Sequence, residues 1–413
     1  MTRLRIKHFG PIGHGLSDDE GWMEIKPVTV FIGNQGSGKS TLAKLFSTFC
    51  WIEKALVRGD YDKKWFERKG RFRSQFLSYH RLEHYLETRH GDQAVLEYEG
   101  KAHTLRYANG QLTISDANSA GYALPQVMYV PAERNFISYV RNPRELKLSS
   151  ESLKAFLTAF DQAKDNLRGT LKLPINQSEV EYDKLNDVLN LRGTDYKLRL
   201  TDASSGFQSF VPVYLVSRYL AETVQTQRRQ SQPMSIDELE RFKKGVQSVF
   251  TNDSLTEEQK RAALSVLSSR FNKTAFINIV EEPEQNLFPS SQWEVLQSLL
   301  ALNAQSERNL LMLTTHSPYI VNYLSLAIQG EQLRQRLMDA QRDDLLPMLY
   351  QIVPEQVLLA AEDVVIYQCN EQSGSISRLP SFEGIPSDRN VLNQWLCEGN
   401  TLFDRLLELE EAI

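Results

Sequence analysis

Apolar positions in this chain recur with two different periods, and the switches between them divide it into elements. Leu4 and Ile6, then Met23, Ile25, Val28, Val30 and Ile32, fall on alternate residues, which predicts strands across residues 1–32. The period then changes to that of a helix, with Leu42, Leu45, Phe46 and Phe49 on one face. Residues 51–90 are rich in Lys, Arg and aromatics and read as helical. Residues 94–98, 102–107 and 111–115 read as short strands, separated by turns at Glu99-Gly100 and Asn109-Gly110, a small antiparallel meander. Residues 126–131 return to a buried strand, and 150–195 read as helical with polar breaks. From 225 to 272 the chain turns polar and charged. Helix-start sequences at Ser235 and Ser254 predict helices over 235–250 and 256–271, an inserted helical lobe. Three mainly apolar runs follow, at 276–280, 310–315 and 364–367, and read as buried strands before a terminal helix through Ile413. Strands flanked by helices predict an α/β fold with a mostly parallel sheet. Its core spans 1–224 and 273–413, includes the basic helical segment and meander at 51–120, and is interrupted by the lobe at 225–272. Neither 136–200 nor 225–272 holds a long heptad pattern, so extended coiled-coil arms are not expected there.

Composition narrows the classes. At 413 residues there is room for two or three lobes. A net charge of −5 argues against a general nucleic-acid coat, so DNA contact would come from a local patch. Cys50, Cys369 and Cys397 lie far apart in no metal-binding spacing, which suits a reducing cytosol. The N-terminal segment is charged and lacks a signal-peptide core, and no run approaches the length of a bilayer. The expectation is a cytoplasmic protein with no membrane contact.

The chemistry starts at Gly33-Asn34-Gln35-Gly36-Ser37-Gly38-Lys39-Ser40-Thr41, which fits G-x-x-x-x-G-K-[ST] at every fixed position, between an apolar strand and an amphipathic helix. Glycines let successive N–H groups converge on phosphates, and the helix presents its positive end to them. Lys39 adds a cation between the β- and γ-phosphates, and Ser40 offers a hydroxyl to Mg²⁺. Glu281 and Glu282 end a buried strand. There Glu281 suits the metal side and Glu282 the polarisation of a water. His316 follows another strand and can reach the γ-phosphate or that water. Ser204-Ser205-Gly206-Phe207-Gln208 opens an apolar helical run, a weak anion-binding signal by itself.

In this order the pieces resemble the ABC-type ATPases of the SMC and OLD branch, over residues 4 to about 324. The resemblance implies ATP and Mg²⁺ as cofactors, hydrolysis of ATP, and a dimer of heads in which Ser205 and Gly206 of one copy close on the nucleotide of the other. Two positions depart from the family pattern: Glu281 stands where Asp is usual, and the signature lacks its double glycine. Residues 130–134, Val-Pro-Ala-Glu-Arg, look like a segment common in stand-alone members and have no role assignable from spacing.

Size and order of parts are most similar to the ATPase subunits of two-gene antiphage systems, the AriA family of the PARIS system above all. That resemblance implies an oligomeric ATPase scaffold that holds a separate TOPRIM-type nuclease (AriB-like) and releases it on sensing a phage DNA-mimic protein. A DNA-acting ATPase of repair or genome maintenance is the alternative. One local feature bears on both. Lys63, Lys64, Arg68, Lys69, Arg71, Arg73, His80 and Arg81 interleave with aromatics over 63–81, a run suited to a phosphate backbone or a protein imitating one. A solvated helical face with inward aromatics explains the same pattern.

Overall fold

The computed structural model describes residues 2–87, 91–117, 122–140, 147–229, 240, 243–247, 249, 251, 256 and 273–411. Two sheets organise the head. The larger has seven strands, in the order β2 (Gly15–Leu16), β16 (Ser375–Arg378), β15 (Val364–Cys369), β4 (Val28–Gly33), β14 (Leu310–Thr315), β13 (Ala275–Glu281) and β8 (Pro125–Val130). Its five strands from β15 to β8 are mutually parallel; β16 runs antiparallel to β15, and the short β2 pairs outside it. Every residue of β4 and β13 is buried, so their mainly apolar, non-alternating runs reflect a sheet covered on both faces.

The second sheet is antiparallel, ordered β3 (Met23–Ile25), β1 (Thr2–Lys7), β5 (Val95–Glu99), β6 (His103–Ala108) and β7 (Gln111–Asp116); β5 to β7 form the meander the alternation predicts, and β1 and β3 extend it. Helix α1 (Lys39–Arg58) lies between the two sheets. Its Leu42, Leu45, Phe46 and Phe49 pack with Leu4, Ile6 and Leu96 of the meander and with Phe31, Ile279 and Met312 of the large sheet. The opposite face of the large sheet, with Val28, Val30, Val280 and Leu313, is covered by α4 (Glu151–Asp165), α5 (Ser205–Arg229), α6 (Pro289–Asn303) and α7 (Pro318–Asp339). The short helices α2 (Lys63–Glu67), α3 (Asn135–Tyr139) and α8 (Leu346–Ile352) and the C-terminal α9 (Val391–Glu410) complete the set. Among the described residues no helix is long and apolar enough to cross a membrane.

The helical reading of 150–195 holds only for α4. Beyond it the chain forms a four-stranded antiparallel sheet, ordered β12 (Lys197–Arg199), β11 (Val188–Arg192), β10 (Glu179–Asp183) and β9 (Thr170–Lys172). The reason is a period of two. Val180 on β10 and Leu189 and Leu191 on β11 point into the core between outward-facing charged and polar residues. Asp183 Oδ1 accepts from the N–H groups of Leu185 at 3.0 Å and Asn186 at 3.3 Å, which closes the hairpin. Of the helical lobe expected over 225–272, α5 occupies the start and 243–247 are helical, while most of the helices expected at 235–250 and 256–271 lies outside the described residues. The last two residues of the expected terminal helix do as well.

Candidate functional site

The phosphate loop joins β4 to α1, with Asn34, Gln35 and Gly36 exposed at its crest and Ser37, Lys39 and Thr41 buried beneath. Gly33 has φ 146°, and a Cβ there would stand 2.3 Å from the carbonyl oxygen of Cys369, so only glycine fits. Asn34 braces the crest, its Oδ1 accepting from Gln35 N–H at 2.8 Å while its Nδ2 donates to Glu371 at 3.0 Å. Lys39 Nζ donates to the carbonyls of Gly33 at 2.9 Å and Asn34 at 2.7 Å, and burial draws its pKa down. It stays inside the loop, where a transferred phosphoryl group would meet it.

Glu282 and His316, far apart in sequence, meet here because β13 and β14 are parallel neighbours and both end at the loop. His316 Nδ1 lies 3.5 Å from Lys39 Nζ, and Nε2 lies 3.3 Å from Glu282 Oε1. An ammonium can only donate, which makes Nδ1 the acceptor and puts the imidazole proton on Nε2, facing the carboxylate. That bond is the main reason why the pKa of Glu282 falls below the ordinary carboxylate value, against the burial that raises it. His316→Ala removes the bond and leaves the burial, so the acid limb of the pH–rate profile should move to higher pH. A profile with an unmoved acid limb would discard the hydrogen bond as the cause.

Glu281 is buried, and burial raises its pKa. Its Oε2 accepts a long bond from Ala132 N–H at 3.4 Å, whereas Oε1 has no hydrogen-bond partner among the described residues. The hydroxyls of Ser40 and Tyr129 stand near enough to favour its charged form, short of full hydrogen-bond geometry. A buried, unpaired carboxylate oxygen beside a serine hydroxyl fits a hard dication shared with a phosphate. The residues that would hold Mg²⁺ are therefore Ser40 and Glu281.

Two residues that motif reading left without a role organise this site. Arg134 is fully buried, and burial draws its guanidinium down to about 10, so it stays a cation at neutral pH. It donates to the carbonyls of Glu281 at 2.6 Å, Glu282 at 2.5 Å, Pro131 at 3.3 Å and Ser209 at 3.1 Å. Glu284 turns inward, and its Oε1 accepts from Thr315 Oγ1 and from His316 N–H, both at 2.7 Å, which sets the backbone that carries His316. The trace of the first in sequence was its place at the end of the Val-Pro-Ala-Glu-Arg segment that follows a buried strand.

The signature-like segment opens α5, with Ser205 exposed. Within the chain it meets the acidic strand end, not the phosphate loop. A Cβ on Gly206 would lie 2.9 Å from the carbonyl oxygen of Asn286, and Asn286 Nδ2 donates to Ser209 Oγ at 3.1 Å. Ser205 and Gly206 are thus held on the surface beside residues that carry Glu282.

The basic segment is less uniform than its sequence. Phe66, Phe72 and Phe76 pack inward, as a solvated face requires. His80 is also buried against the Tyr129 ring, and burial draws its pKa down to about 3, so it is neutral and not part of a basic surface. Arg71 lies over the Trp65 ring, 4.1 Å from its centroid, while Lys63 pairs with Asp116 and Arg73 with Glu87. Lys64, Arg68, Lys69 and Arg81 remain exposed.

Fold and site together define an α/β P-loop head with a mostly parallel sheet and an antiparallel meander. No family model matches the chain, and no curated protein does. Among solved structures it is similar to the SMC head domain from Thermotoga maritima, at 12% identity and TM-score 0.35, over 92% of this chain and 98% of that one. An Smc head domain with an extended coiled coil, bound to the C-terminal domain of ScpA from Pyrococcus furiosus, matches at 10% identity and TM-score 0.33, over 92% and 96%. A dimeric ATP-binding cassette bound to ADP and Pi matches at 10% identity and TM-score 0.27, over 92% and 100%.

Proposed function

We propose that this chain is a Mg²⁺-dependent ATPase of the SMC and ABC-like kind. The observation that carries the reading is the row Lys39, His316, Glu282 at the mouth of the phosphate loop, with Glu281 and Ser40 on its other side. Glu282, kept anionic and oriented by the Nε2–H of His316, polarises a water for attack on the γ-phosphate. Lys39 and the loop amides hold the phosphates, and bound Mg²⁺ would neutralise charge between them. The exposed Ser205 and the half-buried Gly206 at the head of α5 close on the nucleotide of a second copy. Lys39→Ala should abolish the binding of a fluorescent ATP analogue, together with the thermal stabilisation that ATP confers. A variant that binds as tightly as the wild type would remove the loop from the mechanism.

Within that class, we infer a regulatory subunit of a bacterial antiphage complex, a scaffold that holds a separate TOPRIM-type nuclease until a phage DNA-mimic protein is sensed. Size and order of parts support this reading. The exposed Lys64, Arg68, Lys69 and Arg81 supply a surface for an acidic, DNA-like ligand. Purification from its own host with neighbouring genes intact tests it. A stoichiometric nuclease in the eluate supports the scaffold, and ATP-dependent DNA binding without such a partner supports the repair or maintenance alternative.

A further inference from the structure

From residue 394 onward, every described side chain of α9 is exposed, although the helix is strongly amphipathic. Trp395, Leu402, Phe403, Leu406 and Leu409 are between 53% and 66% exposed. A stripe of large apolar side chains on a projecting helix marks an interaction surface. Its spacing says what kind. Leu392, Trp395, Gly399, Leu402, Leu406 and Leu409 follow one another at intervals of three, four, three, four and three, the seam of a two-helix coiled coil. Glu398 and Arg405 each stand just ahead of a seam residue, on the same flank, and neither has an ion-pair partner among the described residues.

We propose that two copies of this chain pair through α9 as an antiparallel coiled coil, with Glu398 of each copy facing Arg405 of the other. The sequence of the seam selects that arrangement. Run antiparallel about the point between Gly399 and Leu402, the helix is complementary to itself: Leu392 meets Leu409, Trp395 meets Leu406, and Gly399 meets Leu402, each layer occurring twice. Small then faces large at the centre. In the same register the two flanking positions come opposite each other, and two symmetry-related Glu398–Arg405 pairs form along that one flank, one on each side of the two-fold axis. A parallel pair would stack Gly399 on Gly399, leaving a void, crowd Trp395 on Trp395, and set Glu398 against Phe403. Asp404 and Glu408 fall on the outer face in either case, where they stay in water.

This contact goes beyond the ATPase reading, because it needs no nucleotide and uses none of the residues of the phosphate site. Light scattering on the full chain without ATP should therefore show a dimer, and Lys39→Ala should leave it intact. Glu398→Arg alone and Arg405→Glu alone should each weaken association about tenfold or more by placing like charges across the seam, whereas the double reversal should restore it. For orientation, Gly399→Cys and Leu402→Cys are made separately in a Cys397→Ser background. Oxidation should cross-link the mixture and leave each variant alone uncross-linked. A monomer without nucleotide, single reversals that associate like wild type, a cross-link within either single-variant sample, or pairing only with a different protein would each overturn the proposal. A wild-type chain that dimerises but hydrolyses no ATP would instead count against the function proposed above.

Discussion

Glu282→Gln should bind ATP normally, lose turnover by at least about a hundredfold, and accumulate as a nucleotide-locked dimer. The geometry separates these effects. Glutamine keeps the side-chain shape, and the two bonds that set this backbone are made by main-chain atoms. Glu282 N–H donates to Thr314 at 2.8 Å, and the Glu282 carbonyl accepts from Arg134. The left-handed φ of 44° is therefore held by the surroundings and not by the carboxylate. The amide oxygen can still accept from the Nε2–H of His316, so the row to Lys39 survives. Only the negative charge is lost, and with it the group that can draw a proton from an attacking water. Nucleotide stays bound because Lys39 and the loop amides are untouched. Single-turnover hydrolysis and size-exclusion chromatography with ATP check both halves. Wild-type turnover in the variant would remove Glu282 from the role of base.

Arg134→Ala is expected to be the most destabilising substitution in the head, although it touches no phosphate-binding residue. The guanidinium satisfies carbonyls on three separate segments: Pro131 after β8, Glu281 and Glu282 at the end of β13, and Ser209 in α5. A buried carbonyl left without a donor costs roughly 1–3 kcal/mol. Several at once take away a large share of a stability on the order of 5–15 kcal/mol. The result should be a chain that unfolds many degrees lower, or is recovered insoluble. Arg134→Lys keeps the charge with fewer donors, and should fall between alanine and wild type in thermal unfolding. Equal melting temperatures for alanine and wild type would show that the four bonds contribute nothing net. Because the same guanidinium ties the first turns of α5 to the carbonyls of the acidic strand end that carries Glu281 and Glu282, the lysine variant should also hydrolyse ATP more slowly.

How much of this was visible in sequence varied with the range of the interactions. The phosphate loop was legible whole because its chemistry is local: glycine conformations, a helix start and a lysine within nine residues. The meander was legible because alternation is a local consequence of one covered face, and its turns carry Glu-Gly and Asn-Gly. The sheet at 170–199 obeys the same rule. The sequence predicts helix there because its strands are short and its polar positions carry alternating charges, which also suit a helix surface. Val180, Leu189 and Leu191 were the signal against that reading. The basic run at 63–81 was legible as composition but not as surface, because burial alone decides that His80 is neutral and that Phe66 and Phe72 face inward.

Taken by itself, the amino-acid order determined which groups the chain brings to a nucleotide: a phosphate loop, two carboxylates after one buried strand and a histidine after another. These follow from local backbone geometry and from the period of the side chains, which neighbours in sequence set. The tertiary structure alone decided how they work together. The parallel pairing of β13 with β14 carries His316 to Glu282, the burial of Glu281 leaves one oxygen unpaired beside Ser40, and Arg134 reaches across three segments to hold the site and α5 as one body. Such contacts join residues up to hundreds of positions apart. Their strength depends on exclusion from water, which no stretch of sequence can state before the chain has folded around it.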